Sequence, residues 1–154
     1  MISRLARMAA IALAGTLLAS GPVHAGTGDD PTDVLGTWSF RTKPYRGGEC
    51  LMTGTMNLTP HPEEGQYTCE LTAVEVCTIW GRSVVRQSCK ARRFGNQLSI
   101  RSEIEEMLEA KVEGLIYVPD NFTLTIESAD RMFGALVSAV TAPAEFRRAT
   151  NGIS

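Results

Sequence analysis

The chain has 154 residues, of which 44% are hydrophobic, and its 15 Lys and Arg against 17 Asp and Glu give a net charge of −2 at pH 7. The sequence contains no basic stripe of the kind that nucleic-acid-binding proteins present, so we expect no nucleic acid among its partners. The length suits one domain with a hydrophobic core of its own.

The first 25 residues are predicted to be a secretory signal peptide. Arg4 and Arg7 precede an apolar stretch, and a small-x-small pattern ends at Ala25. The apolar run is short for a membrane span, so we expect no stable membrane insertion after cleavage. Its alanine-rich composition is typical of bacteria, which predicts a periplasmic or secreted protein. Residues 26–35 are predicted to be a flexible N-terminal tail, 36–149 a single domain and 150–154 a C-terminal tail.

From Gly36 onward, polar and apolar residues alternate in runs separated by turn sequences, which is the pattern of half-buried strands. The predicted strands lie near 36–42, 49–58, 66–77, 83–93, 97–105, 121–127, 131–139 and 144–149. Short connections favour antiparallel neighbours, and eight strands with one apolar face favour an all-β, up-and-down barrel over a two-sheet sandwich. In the segment 104–112 the apolar residues recur at helical spacing, so a short helix is predicted there, with a ragged strand end as the alternative.

The four cysteines, Cys50, Cys69, Cys77 and Cys89, predict two disulfides, because their even number belongs to a chain with a secretion signal. Cys69 and Cys77 share a predicted strand and are too far apart to bond. Opposed residues in a hairpin have position numbers that add to a constant. The position numbers of Cys50 and Cys77, and those of Cys69 and Cys89, add to the sums expected for two successive turns. The alternative pairing, Cys50–Cys69 with Cys77–Cys89, fits less well.

The first and last strands are predicted to meet at one end of the barrel. Gly36 and Trp38 open the first strand, and the last strand ends with Phe146, Arg147 and Arg148. Antiparallel pairing places Arg148 over Trp38, where a guanidinium on an indole face contributes about 0.5–2 kcal/mol. We therefore expect Gly36, Trp38 and Arg148 to form a structural plug at this end.

A Gly-x-Trp at the first strand, an Arg (Arg147 or Arg148) in the last and eight alternating runs resemble the calycin group of barrels, which includes lipocalins and avidins. This resemblance implies a barrel that holds a small apolar ligand. The chain is also similar to the bacterial periplasmic metalloprotease inhibitors within this group. Those proteins join a second-strand cysteine to one that ends the third strand, as Cys50 and Cys77 would, and insert an N-terminal tail into the protease cleft.

The candidate ligand-binding residues are those predicted to face the interior and those placed around the open mouth opposite the plug. Met side chains suit an adaptable apolar cavity, although side chains alone can also fill an eight-stranded barrel. Glu75 has inward parity near the mouth, where it would meet a polar ligand group or simply be solvated. The mouth aromatics would contact a ligand or pack under their own loops. The residues are Met52, Met56, Glu75, Gln87 and Phe122 inside, with Trp80 and Tyr117 at the mouth.

The sequence contains few patterns that are typical of catalytic or metal-binding sites. There is no Gly-x-Ser-x-Gly, no phosphate-binding glycine loop and no unpaired cysteine beside a base. His61 with Glu63 and Glu64 makes a poor metal site on a polar turn. We therefore expect no enzymatic activity, no cofactor and no metal. Three hypotheses remain: a binding protein for a small apolar or amphipathic ligand, a protein-binding module such as a protease inhibitor acting through its mouth or tail, and a packed envelope protein without a ligand.

Overall fold

The computed structural model describes residues Asp33–Ala149, which form eight antiparallel strands closed into a barrel. The strands are β1 Gly36–Thr42, β2 Cys50–Pro60, β3 Gln66–Cys77, β4 Gly81–Phe94, β5 Gln97–Glu109, β6 Asn121–Ser128, β7 Arg131–Val137 and β8 Thr141–Arg148. Each strand pairs with its neighbours in the sequence, and β1 pairs with β8, so the up-and-down barrel predicted from the alternating runs is confirmed. The predicted signal peptide and C-terminal tail lie outside the described residues.

The helix predicted for 104–112 is wrong, because β5 runs to Glu109 and the described residues contain no helix. Two register irregularities occur where β4 pairs with β5, between Val84 and Val85 and between Arg86 and Gln87. Each lets β5 carry an additional residue, so the half-buried side chains of Ile104 and Met107 are three positions apart rather than two. Bulges therefore produced a spacing in the sequence that imitates a helix. Among residues 33–149 as a whole, no helix is long and apolar enough to cross a membrane.

Both predicted disulfides are present, and they join consecutive hairpins. Cys50 bonds Cys77 across β2 and β3, and Cys69 bonds Cys89 across β3 and β4. In each case the two cysteines are directly opposed residues of the ladder, as the register argument required. Two disulfides are consistent with an extracellular or periplasmic location, where thiols are oxidised.

One end of the barrel is closed by Trp38. Its ring is fully buried, and the Arg148 guanidinium lies 4.5 Å from the ring centroid, as the predicted pairing of β1 with β8 implied. Arg148 also donates hydrogen bonds to the carbonyl oxygens of Ala129, Leu35 and Asp33 at 2.5–2.6 Å. Gly36 adopts a positive φ of 104° beside this guanidinium. The plug is therefore one connected unit of ring, cation and backbone.

The last residues of the predicted tail belong to this plug. Val34 is fully buried, and its carbonyl oxygen accepts a hydrogen bond of 2.9 Å from the Trp38 indole nitrogen. Asp33 and Leu35 supply the carbonyl groups that Arg148 binds. Residues 33–35 are therefore packed against the barrel, and the rest of the predicted tail, 26–32, lies outside the described residues.

Side chains fill the middle of the barrel. Phe40, Phe122 and Phe146 contact one another with ring centroids 5.0–5.2 Å apart. Gly54 leaves room for this cluster, because a Cβ at that position would lie 2.5 Å from the ring of Phe40. The core at this level is consequently a packed aromatic cluster rather than an open ligand chamber.

Candidate functional site

The open mouth lies at the end opposite Trp38, where four connections meet: 43–49, 78–80, 110–120 and 138–140. The longest of them, 110–120, connects β5 to β6. These two strands pair only from Gln97 to Ile100, so the mouth-side half of β5 has no backbone ladder to β6. The connection fills that gap, and its side chains form much of the site.

Asp120 joins this connection to the barrel wall. Its backbone nitrogen donates to Gln87 Oε1 at 2.9 Å, and Gln87 Nε2 donates back to Asp120 Oδ2 at 2.7 Å. Its carbonyl oxygen accepts a hydrogen bond of 2.7 Å from the Ser102 hydroxyl on β5. The predicted ligand-binding residue Gln87 is thus fully buried and occupied in holding Asp120.

The carboxylate of Asp120 is itself unusual. Tyr117 Oη donates to Oδ2 at 2.9 Å, whereas Oδ1 is the one buried side-chain polar atom between Asp33 and Ala149 that has no hydrogen-bond partner. The nearby Ser138 hydroxyl donates instead to the Val118 carbonyl oxygen. Burial raises the pKa of Asp120 to about 6, against the lowering effect of the hydrogen bonds from Gln87 and Tyr117 and of the nearby Ser138 hydroxyl.

A second polar group lies across the mouth. Tyr45 Oη donates to Glu75 Oε1 at 2.7 Å, and Lys111 Nζ forms an ion pair with Glu75 Oε2. Both charged side chains of that pair are about nine-tenths buried. Burial is the main cause that raises the pKa values of the Tyr45 and Tyr117 hydroxyls far above their usual range, and the neighbouring carboxylates raise these pKa values further. Both phenols therefore stay protonated and act as donors to the carboxylates. Glu75 is buried and paired, so it is not the solvated rim carboxylate considered as one alternative.

These two groups line a small cavity of about 80 Å³. One water occupies about 30 Å³ in the liquid, so the cavity has room for a few non-hydrogen atoms. Pockets for ligands of drug size are usually 300–1,000 Å³. The cavity lining includes Met52, Glu75, Lys111, Ile116, Tyr117, Val118 and Asp120.

Exposed apolar side chains surround the cavity, and we call those at Ile79, Trp80, Val112, Ile116 and Val118 the apolar rim. Ile116 is 90% and Ile79 67% exposed, and Trp80 is 43% exposed. Ile116 and Val118 also line the cavity, so the rim is continuous with it. Trp80 is held near the mouth by cations, with Arg46 and Lys111 lying 5.6 and 5.8 Å from its ring centroid.

The structure therefore separates the predicted ligand-binding residues into four groups. Met52, Glu75 and Tyr117 line the mouth cavity, Trp80 lies on the rim, and Gln87 supports Asp120. Met56 and Phe122 lie deeper, in the packed core, where Met56 is opposite Trp38 in the β1–β2 ladder. Sequence reasoning missed Asp120 and Lys111. The available signal for Asp120 was that it is the one acid in the stretch 115–122, directly after the mainly apolar run 115–119.

The other depressions and acid clusters are less specific. One depression of about 500 Å³ lies over the outer faces of β2 to β5, and one of about 600 Å³ lies over β1, β7 and β8. Both are larger than the mouth cavity and lie along the barrel wall, away from the mouth residues Tyr45, Glu75 and Asp120. Cys50, Glu75 and Cys77 bring their ligand atoms within 4.8 Å of one another, but the disulfide uses both sulfur atoms.

Comparisons with protein-family models and with curated proteins give no match. Among solved structures the chain is similar to a designed protein described as a de novo fluorescence-activating beta barrel. The two share 19% sequence identity, the match covers 75% of this chain and 93% of that one, and the TM-score is 0.49.

Proposed function

We propose that this protein is a secreted, non-enzymatic binding protein of calycin type that captures a small amphipathic molecule at its open mouth. The observation that carries the proposal is the continuity of the apolar rim with a buried polar cavity, through Ile116 and Val118. An amphipathic ligand would place its polar group in the cavity and its apolar part against the rim. Ligand sites in barrels commonly combine apolar walls with a few oriented polar groups in this manner.

The size of the cavity decides where such a ligand lies. Since the aromatic cluster of Phe40, Phe122 and Phe146 fills the interior, an apolar chain does not enter the barrel as it would in an empty one. About 80 Å³ accommodates a polar head, and the remainder of the molecule must then lie outside, on the rim. Burial of exposed apolar surface on the rim would supply about 25 cal/mol for each Å².

Native mass spectrometry of the protein purified gently from its host tests the proposal. We expect an adduct of small-molecule mass that disappears on denaturation. Trp80→Ala should deplete it, because this substitution removes the largest side chain of the rim. Phe94→Ala is the matched control, since Phe94 is also an exposed aromatic residue (66%) but lies at the plugged end. Equal depletion in both variants, or a bare mass for the unaltered protein, would contradict binding at the mouth.

A protein-binding function is the second candidate, favoured by the Cys50–Cys77 bridge between the start of β2 and the end of β3. This placing resembles that of the periplasmic metalloprotease inhibitors, in which an N-terminal tail acts on the protease. Deleting residues 26–32 separates the two candidates and spares residues 33–35, which hold Trp38 and Arg148. A tail inhibitor should lose its activity, whereas capture of a ligand at the mouth should be unchanged.

A further inference from the structure

The charges of the mouth cavity are unequal. Glu75 is neutralised by Lys111, and Arg46 lies against the Trp80 ring at the outer edge. The carboxylate of Asp120 accepts hydrogen bonds from the neutral groups of Gln87 and Tyr117, and no ion pair joins it to a cation in the part of the chain that is described. Above its pKa the cavity therefore contains one carboxylate whose charge no bonded partner balances.

The side-chain donors nearest to the carboxylates of the cavity are already directed to acceptors. The hydroxyl hydrogens of Tyr45 and Tyr117 are already donated to Glu75 and Asp120, and the Lys111 ammonium is directed to Glu75. What remains is Asp120 Oδ1, which is buried and has no partner. A buried acceptor without a partner costs about 1–3 kcal/mol, so a ligand that donates a hydrogen bond there removes a penalty that the free protein carries.

We infer that the mouth cavity receives the ammonium group of a primary aliphatic amine, with Asp120 Oδ1 as its acceptor and the alkyl chain against the apolar rim. The inference rests on the proposed function and assigns a class to its ligand. An ammonium group with one or two methylenes matches the few atoms that the cavity admits. A carboxylate head would instead lie beside the unbalanced charge of Asp120, where like charges repel.

The test is an NMR titration at pH 7.5 with three molecules of equal chain length: hexylammonium, 1-hexanol and hexanoate. Resonances of the Trp80 indole and the Asp120 amide report on the rim and the cavity. We expect hexylammonium to bind about tenfold or more tightly than the other two, since a hydrogen bond to a charged group exceeds a neutral one. The Asp120→Asn substitution should remove that preference. Glu113→Gln removes one exposed acid of the same connection and should leave the affinity within about twofold.

The preference should also weaken as the pH falls below about 6, where Asp120 takes up a proton. The charged and titratable groups that surround it are Glu75, Lys111, Arg46, Tyr45 and Tyr117. The two phenols stay protonated throughout this range. A pH dependence that survives in Asp120→Asn would therefore contradict the assignment of Asp120 as the acceptor.

The outcomes separate this inference from the proposed function. Equal or tighter binding of hexanol or hexanoate at the same resonances overturns the inference and leaves capture at the mouth intact. The same holds if none of the three binds while the protein from its host carries another adduct that Trp80→Ala removes. Absence of both binding and adduct overturns the two together.

Discussion

Replacement of Arg148 by methionine tests whether the plug holds the barrel together. The substitution keeps the aliphatic stem but removes the guanidinium, which lies 4.5 Å from the Trp38 ring centroid and donates to three backbone carbonyl groups. A cation over an aromatic ring contributes about 0.5–2 kcal/mol. A net hydrogen bond contributes about 1 kcal/mol, and less where it is solvated, as the bond to Asp33 is. We therefore expect Arg148→Met to lower the free energy of unfolding by about 2–4 kcal/mol.

Urea denaturation followed by circular dichroism and by tryptophan fluorescence measures this loss. Arg147→Met is the matched control, because Arg147 directly precedes Arg148 in β8, its side chain is 64% exposed and it forms an ion pair with the partly exposed Glu145. Its loss should cost about 0–1 kcal/mol. Arg148→Lys, which keeps the charge but not the planar fork of donors, should fall between the two. If Arg147→Met and Arg148→Met destabilise the protein equally, net charge on β8 and not the plug is responsible, and the reasoning is refuted.

Two further predictions concern the core and the mouth. Gly54→Ala should destabilise the protein by about 1–3 kcal/mol in the same denaturation experiment. The reason is that the added Cβ would lie 2.2 Å from the Thr72 carbonyl oxygen and 2.5 Å from the Phe40 ring. An unchanged urea midpoint would show that the backbone and the Phe40 ring can move to accommodate a methyl group without loss of stability. The pKa of Asp120 is about 6 in the folded protein and 3.8 is its usual value. Between these pH values the folded protein holds a proton that the unfolded chain has released, so the wild type loses stability as the pH rises from about 4 to about 6. Asp120→Asn should lack that loss, becoming the more stable protein at pH 7 while the two agree near pH 4, and parallel pH profiles of the two proteins would contradict the assigned pKa.

The part of the fold that could be predicted from the sequence is the part that obeys strict alternation. With a period of two and short turns, the register of each hairpin follows from the turn position, so the opposed pairs Cys50–Cys77 and Cys69–Cys89 could be derived by counting. The contact of Arg148 with Trp38 followed in the same way from closure of β8 on β1. Each of these depends only on which residues are opposed, which the pattern encodes directly.

Counting failed where the alternation was interrupted. The irregularities in the β4–β5 ladder shifted Met107 by one position and suggested a helix that does not form. Asp120 lies in a connection, where no periodicity assigns a side chain to a face, and its role depends on contacts with Gln87 and Ser102 on two other elements. Such side-chain contacts between distant elements are the features that a pattern within one strand cannot encode.

The two ends of the barrel differ in how their polar groups are satisfied, and this difference separates stability from binding. At the plug, Arg148 and Trp38 donate to backbone carbonyl groups of Val34 and its neighbours and bury the ring completely. At the mouth, Asp120 is buried with an acceptor unused, and the apolar rim is exposed beside it. Features that cost stability in the free protein are typical of sites where a ligand removes the cost. Substitutions at the plug should therefore change unfolding without changing ligand preference, whereas Asp120→Asn should raise stability at neutral pH and abolish preference together.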